Sequence, residues 1–325
     1  MKARKIGEFE VSAVGYGCMG LSHAHGYALE DADAIRTIRE AFDAGYTYFD
    51  TATTYTGVTK SGHEAINEVV VGEALRPVRD QVVVGTKFGV TINPDHSLTY
   101  DSSREAVRAT IEKSLRQTGF EVMDVACQAR RDPNISPEEL AETMAELIAE
   151  GKVRYWGISE VEDEDFLRKA HAVAPMTTIQ NKLNMSARET ERLFPVLDEL
   201  GISATIYTPL MKGFLSLPAD VKNLFREGDD YRKFIPAFSE KGVAEAAPLY
   251  ALLNECSEKH NCTWTQLSLA WILNKRPYLI PIPGTKNPDR MRENLAAADI
   301  VLTSDEMADI DRRLEEMQPE SFGVE

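Results

Sequence analysis

Eight times along this chain a short apolar, β-branched run gives way to a stretch with helical periodicity, and this alternation limits the fold more than any other feature. The strand-like runs are "VSAVGYG" (11–17), 46–51, "QVVVGTKFG" (81–89), "VMDVACQA" (122–129), "VRYWGIS" (153–159), "TTIQNKLN" (177–184), "ISATIYTPL" (202–210) and "YLIPIPG" (278–284). Helical patterns fall at 31–45, near 64–75, and at 103–118, 137–150, 163–173, 187–200, 242–260, 263–275, 288–297 and 304–317. In the first of them Ala34, Ile35, Ile38, Ala41 and Phe42 share one face, and Gly45 suits the C-terminal stop. Strands alternating with helices over short links make a parallel sheet, and eight such units predict a closed (β/α)8 TIM barrel of the α/β class. The 325 residues exceed the roughly 250 that such a barrel needs. The surplus falls in extra helices after strand seven and at the C-terminus. No linker interrupts the pattern, so residues 1–325 read as one domain, with 211–241 as an insertion after strand seven.

Charge and apolar content exclude several roles. With 36 basic and 52 acidic residues the net charge is −16, which opposes nucleic acid and anionic membranes as partners. No apolar run approaches the roughly 18–20 residues of a membrane span, and "MKARKIGEFEVS" has no apolar signal core. Four sparse cysteines without a Cys-x-x-Cys pair point to a cytoplasmic location. Cys256, His260 and Cys262 cluster in "CSEKHNC" but lack a fourth ligand, so no metal is expected. The oligomeric state is not legible.

"GYGCMG" (Gly15 to Gly20) has the Gly-x-Gly-x-x-Gly spacing of a dinucleotide fingerprint. That fingerprint requires a helix to start at the glycines, and here they run on into "LSHAHGY". A loop that lets a ligand approach the backbone is the expectation instead. In a barrel the chemistry lies at the C-terminal ends of the strands. Asp50 ends strand two and Lys87 ends strand three, and a lysine there needs a counter-ion. An ion pair of purely structural value would explain both residues. Tyr55, five residues beyond Asp50, adds a phenol whose pKa a nearby ammonium would lower. The three together form a proton donor suited to an oxygen that gains negative charge, as in reduction of a carbonyl by hydride. His23 and His25, in the loop after strand one, read as surface residues.

"GYTYFDTATTY", "GTK", "GKVRYWGIS", "YTPLMKGFL" and "PIPGTKNPDRMRENL" together resemble the ordered motifs of the aldo-keto reductases over most of the chain. The resemblance implies a (β/α)8 barrel that binds NADPH and reduces a small-molecule carbonyl compound. Asp50, Tyr55 and Lys87 would be three members of a catalytic tetrad, with Tyr55 as general acid. Ser159 and Gln180 would hold the nicotinamide carboxamide and Tyr207 would stack on its ring. Leu210, Lys212 and Gly213 would wrap the pyrophosphate. Thr285, Lys286 and Arg290 would take the 2′-phosphate, and Glu293 and Asn294 the adenine. A basic cluster of Lys286, Arg290 and Arg292 on an acidic protein suits a phosphate.

The resemblance breaks at the fourth tetrad member, a strand-four histidine whose place is taken by Ala129. If the strand stays regular, Arg131 shares Ala129's face and is the candidate substitute. The stretch "ARRDP" and Glu160 in "GISEV" resemble a branch with pyridoxal reductases, which lacks this histidine. "IQNKLN" departs from the family's usual Gln-x-Glu-Tyr. An alternative from the same family is a catalytically weak NADPH-binding regulator, akin to potassium-channel β subunits. A third reading, an unrelated barrel enzyme using Lys87 as a Schiff base, would need no NADPH.

Overall fold

The computed structural model describes residues 3–93, 95, 97–216, 225, 227 and 230–317. The chain opens with a hairpin of β1 (Ala3–Ile6) and β2 (Phe9–Ser12), then enters the barrel at β3 (Tyr16–Gly17), followed by α1 (Asp31–Ala44) and β4 (Tyr48–Asp50). A second hairpin, β5 (Thr56–Val58) and β6 (Glu64–Ile66), leads into α2 (Asn67–Leu75). Next come β7 (Val83–Phe88), a third hairpin of β8 (Val90–Ile92) and β9 (Leu98–Tyr100), and α3 (Arg104–Thr118). Alternation then resumes with β10 (Met123–Gln128), α4 (Pro137–Ala149), β11 (Val153–Ser159), α5 (Glu164–Val173) and β12 (Thr178–Lys182). After α6 (Phe194–Leu200) and β13 (Ser203–Tyr207) come α7 (Glu240–Glu245), α8 (Ala247–Lys259) and α9 (Trp264–Lys275). The last elements are β14 (Leu279–Pro281), α10 (Pro288–Ala296) and α11 (Ser304–Met317).

The eight strands predicted for the barrel form one parallel sheet in the order β3-β4-β7-β10-β11-β12-β13-β14. Its edges meet where Gly15 N donates to Pro281 O (2.9 Å) and Gly17 N to Pro283 O (3.3 Å). Every residue of β7 and of β10 is buried, as strands covered on both faces must be. Tyr48, Val83, Val125, Cys127, Ile280 and Ile282 pack together with Ile6 and Val11, so the opening hairpin contributes to the core that these strands form. Gly45 ends α1 in the left-handed region, as its position predicts.

Two glycines of "GYGCMG", Gly15 and Gly17, serve this closure. A Cβ on Gly17 would lie 2.6 Å from Ile282 O, and one on Gly15 would lie 2.6 Å from Tyr48 Cδ1. At Gly17 the approaching backbone is the segment that follows strand eight. The predicted strand at 11–17 also divides: Val11 and Ser12 belong to the hairpin, and only Tyr16 and Gly17 enter the sheet. Residues 64–66, expected as helix, pair with 56–58, and the region 187–200 is a 3-10 segment (Glu189–Leu193) running into α6. Within the insertion at 211–241, residues 217–224, 226 and 228–229 lie outside the described residues. No helix among the described residues is long and apolar enough to cross a membrane.

Candidate active site

Asp50 ends β4 and Lys87 sits near the end of β7, the adjacent strand. The Lys87 ammonium donates to both carboxylate oxygens of Asp50, at 2.8 and 2.7 Å, and to Thr51 O at 3.0 Å. Only 4% of Asp50 and 8% of Lys87 remain exposed, so this is a buried ion pair with its hydrogen bonds met. Gln180, in β12, donates from Nε2 to Asp50 Oδ1 (2.8 Å) and to Thr205 Oγ1 (3.2 Å). Burial opposes the charge on Lys87, but Asp50 and Tyr55 more than offset it and hold the ammonium's pKa above the usual lysine value.

Tyr55 lies in the loop after β4, with its ring centroid 5.0 Å from Lys87 Nζ. Its backbone is pinned from two sides, since Tyr55 O accepts from Asn67 N (3.0 Å) and from Ser22 Oγ (2.9 Å). Asn67, the first residue of α2, accepts from Thr51 Oγ1 (2.7 Å) and donates to Cys18 O (2.9 Å), stapling the loops after β3 and β4 together. No motif marks Asn67 in the sequence. Burial pushes the Tyr55 phenol above the ordinary tyrosine pKa, and the Lys87 charge and hydrogen bond reverse only part of that rise. The ammonium lowers the value as expected, but desolvation of the phenolate outweighs one ammonium already paired with a carboxylate.

His23, expected at the surface, is half-buried, and its ring lies parallel to that of Tyr55 with centroids 6.1 Å apart. His25 is half-buried as well and forms a bridge with Asp230 of the strand-seven insertion. Burial first, and the Arg232 charge second, lower its pKa to about 4.

At the end of strand four Ala129 still donates its N–H to Phe88 O (2.8 Å), but β10 itself ends at Gln128. The alternation that would keep Arg131 on Ala129's face does not extend past that end. Arg131 is exposed, 3.4 Å from Asp163 Oδ2 and stacked 4.9 Å over Phe166, away from Tyr55's partners. Arg130 instead lies 2.7 Å from Glu160 Oε1, the oxygen that also accepts from Tyr207 OH at 2.6 Å.

Of the residues expected around a cofactor, Ser159, Gln180 and Tyr207 lie at or near the C-terminal ends of β11, β12 and β13. Ser159 donates to Gln180 O at 2.8 Å, and both residues are buried. Of six non-glycine residues with positive φ among those described, Ala24, Glu160, Thr208, Met211 and Lys212 follow barrel strands β3, β11 and β13. Backbone strain of this kind costs about 1–3 kcal/mol per residue and gathers at ligand clamps. Leu210, Lys212 and Gly213 fall in the strained turn after β13. Thr285 accepts from Asn287 N (3.2 Å), and Asn287 caps α10, which carries Arg290, Glu293 and Asn294. Lys286 is half-buried and Arg290 exposed. Arg292, read as part of a basic cluster, is paired with Asp289 at 2.6 Å. Glu293 accepts from Thr263 Oγ1 at 2.5 Å. Thr208 Oγ1 and Asn294 Oδ1 are buried without a hydrogen-bond partner among the described residues. His260, from the cysteine cluster, has Nε2 3.0 Å from Glu306 Oε1.

A family model described as "Aldo/keto reductase family" matches residues 13–315. The protein named "Probable aldo-keto reductase 1" from Glycine max is 34% identical over 304 residues, covering 93% of this chain and 85% of the relative. A solved aldo/keto reductase from Klebsiella pneumoniae in complex with NADP and acetate is 27% identical, with a TM-score of 0.70 over 96% of this chain and 94% of its own. The glycerol dehydrogenase from Gluconobacter oxydans, 24% identical, shares the fold with a TM-score of 0.82 over 98% of this chain and 96% of its own.

Proposed function

The chain belongs to the aldo/keto reductase family, and from that footing we propose that it reduces an aldehyde or ketone to the alcohol with NADPH, Tyr55 giving the proton. One observation carries the reading: the Lys87 ammonium, held by both oxygens of Asp50, lies 5.0 Å from the Tyr55 ring at the C-terminal rim of the barrel.

The residues present fit the cofactor. Thr208 Oγ1 and Asn294 Oδ1 are buried polar atoms with no partner among the described residues, a demand that a polar ligand would satisfy. The complex of the Klebsiella pneumoniae relative with NADP supports the choice. In this reading Ser159 and Gln180 hold the carboxamide, and Tyr207 covers one face of the nicotinamide. Leu210, Lys212 and Gly213 line the pyrophosphate path, Thr285, Lys286 and Arg290 take the 2′-phosphate, and Glu293 and Asn294 meet the adenine. Bound NADPH supplies the hydride that reduces the carbonyl carbon. Tyr55 passes its hydroxyl proton to the carbonyl oxygen as negative charge develops there. Lys87, kept charged by Asp50, then stabilises the phenolate left behind. Acid catalysis of this kind is worth about 10²–10⁴ in rate.

The test follows NADPH absorbance against a panel of carbonyl compounds that includes pyridoxal, since "ARRDP" and Glu160 resemble the pyridoxal-reductase branch. Turnover by wild type that Tyr55→Phe loses supports the reductase. Ala129, which offers no side-chain donor, favours a second reading, a catalytically weak NADPH-binding regulator. NADPH binding without turnover of any compound would move that reading ahead.

A further inference from the structure

Ala129 carries no side-chain donor, and the next residue is an arginine. Past the end of β10, Arg130 donates from Nη1 to Ala129 O at 2.8 Å and places Nη2 2.7 Å from Glu160 Oε1. The same carboxylate oxygen accepts from Tyr207 OH. Residues at the ends of β10, β11 and β13 thus converge over the barrel mouth, and Arg130 is the cation among them.

Glu160 is held firmly by its backbone and by its neighbour's. Its φ of +54° is one that side-chain-bearing residues rarely adopt. Its N–H donates to Gln180 O at 3.0 Å, and Asn181 clamps the next residue twice, accepting from Val161 N (3.1 Å) and donating to Val161 O (2.7 Å). Backbone strain persists where surroundings over-determine it, and here the result is a carboxylate that meets both Arg130 and Tyr207. Two contacts use two of the five N–H donors on the guanidinium, which has no acceptor and stays charged. Its side chain is 41% exposed, so the remaining donors are not all spent on the protein.

We propose that Arg130 donates to the substrate's carbonyl oxygen the hydrogen bond that a strand-four histidine would otherwise supply, with Glu160 as the positioning residue that aims it. This assignment rests on the reductase reading. As the hydride reaches the carbonyl carbon, the π pair of the C=O bond moves onto oxygen, and the Tyr55 hydroxyl proton joins it there. Arg130 transfers no proton; it stabilises the oxygen while the charge is present. His23, parallel to the Tyr55 ring, is the rival donor.

The experiment uses the full chain, NADPH and a carbonyl compound that wild type reduces. It measures kcat, the NADPH dissociation constant and the melting temperature of Arg130→Met, Arg130→Lys, Glu160→Gln, His23→Phe and the double variant Ala129→His with Arg130→Met. Loss of one oxyanion donor predicts a fall in kcat of about 10²–10³ for Arg130→Met. NADPH affinity and melting temperature should hold, Arg130→Lys and Glu160→Gln should fall between, and histidine at position 129 should restore at least a tenth of the rate. The assignment is overturned by wild-type kcat in Arg130→Met, by a loss that tracks NADPH affinity or that histidine does not restore, or by an equal loss in His23→Phe alone. Wild type that binds NADPH but reduces nothing overturns the reductase reading as well, so the two failures are distinct.

Discussion

The side-chain amide of Gln180 donates a 2.8 Å hydrogen bond to Asp50, 130 residues away in sequence, and ties the sixth barrel strand to the second. Asp50 Oδ1 thereby accepts from Gln180 and Lys87 together. A carboxylate held by donors from two strands cannot swing, so the ammonium it holds keeps its place beside Tyr55. Gln180 thus belongs both to the expected cofactor contacts and to the support of the proton donor.

The buried pair should show in stability. Asp50→Asn leaves Lys87 charged and under-compensated, and Lys87→Met leaves Asp50 with Gln180 as its main partner. Each single substitution should cost about 3–5 kcal/mol. The double substitution should cost clearly less than the sum, because no uncompensated charge remains. Urea denaturation of the four proteins measures the coupling.

Tyr55 should titrate above the ordinary tyrosine value of about 10. Burial raises it and Lys87 partly lowers it, so Lys87→Met should move the titration still higher. The phenol therefore stays protonated through neutral pH in both proteins, and the variant should be slower because its acid is weaker. Ultraviolet difference titration against Tyr55→Phe, paired with kcat, checks both directions.

Barrel closure leaves no room at Gly17, where a Cβ would lie 2.6 Å from the Ile282 carbonyl oxygen. Gly17→Ala should destabilise the fold by about 1–3 kcal/mol, the usual cost of overpacking. A melting temperature equal to wild type would show that β3 and the segment after β14 can part without cost.

His25 ties stability to pH. Its folded pKa of about 4 lies below the unfolded value near 6.5, because burial and Arg232 disfavour the imidazolium. The neutral ring's contribution is thus complete above pH 6.5 and falls as protonation of the unfolded chain sets in, until it is lost near pH 4. The slope cannot exceed about 1.4 kcal/mol per pH unit, the limit for one proton. Melting curves of wild type and His25→Gln should therefore differ in pH dependence between 4 and 6.5 and run parallel elsewhere.

The alternation of strands and helices and the Gly45 stop were legible in the sequence, because each follows from local periodicity or backbone preference. The pairing of Asp50 with Lys87 was legible too, since both end neighbouring strands in a parallel barrel. Tertiary structure alone decided the rest. "VSAVGYG" divides between hairpin and barrel because each strand's partner lies far off in sequence, and β-propensity does not name partners. Arg131 meets Asp163 and Arg130 meets Glu160 because β10 stops one residue before Ala129, which ends the alternation that would have ordered them. The sign of the Tyr55 shift depended on how much of the phenol's surroundings is protein, a quantity set by packing in three dimensions and carried by no motif.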